Sequence, residues 1–200
     1  MVSNQTRRNV LSQLHFVHFL YLLLFSGVES TLTFLAVDRF KYSNMDNGRL
    51  LTFIGVLSAL IQGGFLRRRG AQIGEHLVAL GGIFALLLST FALAEAWRPP
   101  LLYFGASLFT CASAVVVSCL TSLTSMYATA DRKGTELGQL RSFGQLGRAF
   151  GPLIISLLCW AQGSELAYLL TGVAVLVPLL FMTKLAKEIA LDKPKKIKGQ

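Results

Sequence analysis

Apolar residues run in long blocks along this chain, and the polar residues gather in short gaps between them. Six blocks reach bilayer length, at about 14–37, 47–66, 77–96, 101–128, 137–160 and 165–183. A hydrocarbon core about 30 Å thick takes roughly 20 helical residues to cross. The stretches 50–66, 77–94, 99–130 and 166–183 contain no charged residue at all. At 32 residues, 99–130 would make about 48 Å of helix, so this span must tilt or project beyond the bilayer. The pattern predicts an all-α membrane protein with no room for a soluble domain. It divides into an N-terminal segment over 1–13, a six-helix transmembrane unit over 14–183 and a basic tail over 184–200.

Charge then sets the orientation. Arg7, Arg8, Arg67, Arg68, Arg69, Arg132, Lys133 and the six tail lysines fall on one side of the predicted spans, thirteen cations in all. The other side receives four: Arg39, Lys41, Arg49 and Arg98. Cytoplasmic loops carry the excess of Lys and Arg, so both termini are expected in the cytoplasm, in the plasma membrane or an endomembrane vesicle. The same placement argues against nucleic acid as the reason for the net charge of +9. The tail lysines read as a solvated face with some attraction to anionic headgroups. No cleavable leader is expected, because 9–28 is uncharged for 20 residues, too long for a typical signal core.

Candidate chemistry is sparse. No nucleophile–base pair or metal cluster stands out, so neither an enzyme nor a cofactor is expected. Cys111, Cys119 and Cys159 lie inside apolar runs and read as small buried residues. His15 and His18 read as interfacial, near the cytoplasmic headgroups, and Glu95, Trp97 and Arg98 as interfacial at the other surface.

Six spans with both ends on one side fit two three-helix units of opposite topology, the inverted repeat of many secondary transporters. Ser26, Glu29, Ser30 and Thr33 form a polar face on the first span. Ser107, Cys111, Ala114, Ser118, Ser122 and Ser125 form a small-residue stripe on the fourth. Such stripes serve close helix packing or line a wet cavity.

The fifth span is the sharpest feature. Arg141, Gly144, Arg148 and Gly151 recur at steps of three and four, followed by Pro152. Arg148 falls near the predicted bilayer centre, where an unpaired arginine costs at least about 2.5 kcal/mol. It is the leading candidate for binding substrate, against the bland reading that it pairs with a carboxylate and fixes packing. Pro152 withdraws the N–H that would bond the Arg148 carbonyl, which predicts a kink there. Arg141 lies one turn from the cytoplasm and reads as snorkelling. Glu29 is the one carboxylate well inside a span, a candidate proton carrier or a counter-charge for Arg148. Gln62 and Ser118 are neutral candidates for lining a path.

These residues resemble the major facilitator superfamily, specifically its C-terminal six-helix half. Gln62-Gly63-Gly64-Phe65-Leu66-Arg67-Arg68-Arg69-Gly70 is similar to that family's cytoplasmic loop between helices eight and nine, which makes Arg67, Arg68 and Arg69 a gating loop by resemblance. Gly144 through Gly151-Pro152 resembles helix eleven of its drug–proton antiporter branch. The segments 21–32 and 115–120 are similar to its tetracycline-transporter-like members associated with organic-anion transport.

The resemblance implies a half-transporter for organic anions or drug-like molecules, working by alternating access with proton coupling. Arg148 would attract the anion, Glu29 would carry the proton, and Gln62 and Ser118 would line the route. The family has two such halves and this sequence supplies one, whether as a fragment, a short isoform or a half that pairs with a second subunit. The alternative is a non-transporting membrane subunit that packs against a partner through its glycine-rich fifth helix.

Overall fold

The computed structural model describes residues 4–66 and 73–197, and within them every regular element is helical. Helix α1 is Asn4–Phe40 and α2 is Asn44–Leu60, prolonged by a π-helical turn over Ile61–Leu66. Helix α3 is Glu75–Ala94 and α4 is Pro99–Tyr127. A 65-residue helical stretch, Lys133–Ile197, follows and breaks at Gly163. There the backbone takes φ 82°, ψ 161°, a conformation open to glycine and strained for other residues. The break divides the stretch into α5 (133–162) and α6 (164–197).

Among the described residues, four helices are long and apolar enough to cross a membrane: Arg7–Phe40, Glu75–Ala94, Pro99–Tyr127 and Lys133–Ala190. The last, 58 residues, would measure about 87 Å if straight, nearly three hydrocarbon thicknesses. Gly163 falls near its middle, where a reversal is needed. Dihedrals stay helical across Pro152, and the non-helical residue of this stretch is Gly163, between the two predicted spans.

Local chemistry explains the ends. Ser43 caps α2, its hydroxyl accepting from the Asp46 amide at 3.3 Å while Asp46 accepts from the Ser43 amide at 3.1 Å. The Ser43 donors hold the Asp46 carboxyl below the usual carboxylate range. Pro99 opens α4, where a missing N–H costs nothing. Two helices outrun the predicted segments. Helix α1 starts at Asn4, ahead of residue 14, and α6 continues past residue 183 to Ile197. Lys, Leu, Ala and Glu are good helix formers, and Leu185, Ala186 and Ile189 give this extension a buried face.

Packing fixes helix direction. Gly144 lies against His18 and Leu22, Gly147 against Phe19 and Leu23, and Gly151 against Leu23 and Ser26, so α1 and α5 run parallel. Phe16 meets Phe181 at 5.1 Å and Thr31 meets the Tyr168 hydroxyl at 3.1 Å, so α6 runs antiparallel to α1. Helices α3 and α4 are also antiparallel: Ser122 donates to Glu75 at 2.5 Å and Ser89 to the Gly105 carbonyl at 2.9 Å. Phe25 and Phe109 stack at 4.4 Å and tie α1 to α4. At the far end Arg39 of α1 reaches the last carbonyls of α3, donating to Ala94 at 2.6 Å and Ala96 at 3.2 Å.

Candidate functional site

The α1–α5 seam positions the polar residues of interest. A Cβ on Gly147 would stand 2.6 Å from the Phe19 carbonyl oxygen and 3.0 Å from the Leu23 nitrogen. On Gly151 it would run into the Leu23 carbonyl, and a Cβ on Gly27 would collide with Ile155. Small residues let two backbones approach this closely. The glycine face of the fifth span is therefore occupied by α1 of the same chain, which corrects the expectation that it presents itself to a separate partner.

Arg148 lies one turn beyond Gly144 and is exposed. Its charge acts on His18 and Tyr21 across the seam. Glu29, also exposed, sits two turns further along α1, and its charge acts on Tyr21 as well. These two candidates thus flank one buried phenol. They form no ion pair: among the described residues the ion pairs are His15–Glu136 at 3.9 Å and Arg49–Asp46 at 3.3 Å.

The other two candidates lie on a different pair of helices. Gln62 is exposed in the π-helical turn, where its amide donates to the Ser58 hydroxyl at 3.2 Å. That turn packs on α4, the helix that carries the exposed Ser118. Neither α2 nor its π turn touches α5, so Gln62 and Arg148 belong to separate patches. Arg67, Arg68 and Arg69 lie outside the described residues.

Three features escaped the sequence. His15 and His18, read as interfacial, are only 8% and 3% exposed and face α5. His15 stacks on Phe143, and Gly144 leaves room for the His18 ring. Arg39, noticed only as a loop charge, caps α3 and lies 4.9 Å over the Trp97 ring. A crevice of about 510 Å³ opens beside the break at Gly163, walled by Asp38, Cys159, Trp160 and Tyr168. The spacing of His15 and His18 with Leu14 and Val17, one apolar stripe, was the available signal for the first of these.

Residues 3–152 match the Major Facilitator Superfamily. The chain belongs to that superfamily. It is 40% identical over 176 residues to mouse (Mus musculus) major facilitator superfamily domain-containing protein 10, covering 88% of this chain and 38% of the relative. The human (Homo sapiens) counterpart is 38% identical over 181 residues, covering 90% and 39%. The crystal structure of the human organic anion transporter MFSD10 (TETRAN) superposes with a TM-score of 0.84 at 34% identity, over 91% of this chain and 42% of that one. A peptide transporter, POT (E310Q mutant) in complex with alafosfalin, shares the fold at 15% identity with a TM-score of 0.69. The chain thus spans about two-fifths of the length of the superfamily members it matches. It is an integral membrane protein of a transporter family.

Proposed function

We propose that this chain is one six-helix half of an alternating-access carrier for small organic anions or drug-like molecules. Its helices form a three-plus-three inverted repeat, both termini are cytoplasmic, and a second half encloses the path. Arg148 attracts the anionic group, Glu29 takes part in proton coupling, Gln62 and Ser118 line the route, and Arg67, Arg68 and Arg69 form a cytoplasmic gating loop. The similarity to a human organic anion transporter supports the substrate class. The observation that carries the reading is Arg148: an exposed guanidinium on a membrane-length helix, outside both ion pairs among the described residues. Such a charge is costly in lipid and economical beside water and an anionic ligand.

The test is anion binding by the assembled transporter. A guanidinium fork makes two parallel hydrogen bonds to a carboxylate that lysine cannot reproduce. Arg148→Lys should weaken anion binding while assembly stays intact, and Arg148→Ala should nearly abolish it while neutral ligands are spared. If Arg148 only balances Glu29, the Glu29→Gln, Arg148→Gln double variant recovers anion affinity, and the site assignment fails.

A further inference from the structure

Three buried polar atoms lie in sequence along α1 without hydrogen-bond partners in the protein: His15 Nε2, His18 Nδ1 and the Tyr21 hydroxyl. His15 and His18 lie about 4.5 Å apart along the axis beside α5, where His15 stacks on Phe143 and Gly144 borders the His18 ring, whereas Tyr21 stacks on Phe25 on the side of α4. Buried polar atoms are nearly always satisfied, so three exceptions within two turns of one helix need an explanation. Their surroundings supply one. The Glu136 carboxylate of α5 stands 3.9 Å from His15 Nε2, within ion-pair reach and beyond a hydrogen bond. A groove of about 350 Å³, bordered by Ser12, Phe16 and Phe143, opens onto His15. Arg148 follows one turn after Gly144, the residue against which His18 packs.

We propose that His15 and His18, with Glu136, form a proton-loading site at the N-terminal end of the α1–α5 seam, and that its proton binds together with the anion at Arg148. This rests on Arg148 being the anion site. The step is simple: an imidazole nitrogen takes a proton from water in the groove, and imidazole becomes imidazolium. Protonated His15 is then attracted to Glu136. A proton on His18 meets the positive charge of Arg148, and an anion seated on Arg148 removes that repulsion. Proton and anion therefore favour each other reciprocally. One proton with one monovalent anion adds no net charge, so the loaded site crosses the membrane field without electrical work.

The charges acting on these two imidazoles among the described residues come from α1 and α5 alone. On His18 they are His15 and Arg148, and on His15 it is Glu136. Helix α6 contributes Phe181 against Phe16, and α4 contributes Phe109 against Phe25. Glu29 lies 14 residues beyond His15, about 21 Å of helix, too far to serve the same end of the seam.

The experiment measures binding of 2-naphthalenesulfonate to the assembled transporter in nanodiscs between pH 8 and pH 5. This anion does not titrate in that range, so any pH dependence belongs to the protein. Affinity should rise on the order of tenfold as pH falls, and His18→Gln should flatten that rise. Nitrogen-15 histidine spectra should show His18 becoming imidazolium at a higher pH when the anion is saturating. A full slope retained in His18→Gln, with binding lost in Arg148→Gln, overturns the proton site and leaves the anion site standing. Unchanged affinity in Arg148→Gln overturns both. A slope flattened by Glu29→Gln and not by His18→Gln moves the proton to Glu29. Should His18→Gln fail to fold, a His18 that stays neutral at pH 5 under saturating anion overturns the inference on the wild-type chain.

Discussion

Arg39 turns one nitrogen toward three carbonyls. Its Nη1 donates to Leu93 at 3.4 Å, Ala94 at 2.6 Å and Ala96 at 3.2 Å, and its plane lies over Trp97. The last carbonyls of a helix have no partner within it and carry the negative end of its dipole, so a cation there is doubly favoured. Hydrogen bonds involving a charged group contribute roughly 1.5–3 kcal/mol each when removed from a partly buried site. Arg39→Ala should lower the stability of the detergent-solubilised protein by about 2 kcal/mol, on that same scale. Trp97→Leu removes only the stacked cation and should lower it by about 0.5–1 kcal/mol. Thermal unfolding of the two variants side by side checks the order. A larger loss in Trp97→Leu would mean that the carbonyl contacts contribute little.

At the scale of elements, the glycines of α5 decide how closely two helices lie. Gly147→Leu would drive a side chain into the α1 backbone, since its nearest neighbours are the Phe19 carbonyl and the Leu23 amide, and neither can swing aside. Folded, monodisperse yield should fall severalfold, with Gly147→Ala intermediate. Gly138, on the same helix with nothing within 4 Å, should accept leucine without loss. Equal behaviour of the two leucine variants in size-exclusion chromatography would refute the packing role.

The helix breaks were legible: those at 41–43, 95–98, 128–132 and Gly163 fall where polar or charged residues interrupt the apolar blocks, while α2, at 17 residues, is not among the four membrane-length helices. Their far ends were not. Charge marks where the bilayer stops, and a helix that leaves it continues as long as its residues favour helix, as at Asn4 and Ile197. Arg148 stood out as a candidate because an arginine in an apolar run is anomalous by type alone. His15 and His18 were misread because depth along a helix says nothing about which neighbour it faces. That neighbour, Gly144, is encoded more than 120 residues later.

For the molecule as a whole, the contacts point α1, α3 and α5 one way and α4 and α6 the other. Arg39 links the C-terminal ends of α1 and α3, and the glycine seam aligns α1 with α5. The thirteen-to-four division of cations would put the start of α1 on the cytoplasmic side of such an arrangement. Glycosylation acceptors inserted near Met45 and near Gln162 should be modified in microsomes, and one near Asp131 should not. Modification at Asp131 would overturn the proposed orientation.

The seam between α1 and α5 also sets a schedule. Helix α1 is made well before its glycine-lined partner, which begins at residue 133, and its antiparallel neighbour α6, which begins at residue 164. At about 5–20 residues per second, α1 waits on the order of ten seconds for either. Through that interval His15 and His18 lack the α5 residues against which they pack. The emerging chain must be held at the edge of lipid, with the polar side of α1 still unmatched, until α5 and α6 have followed it.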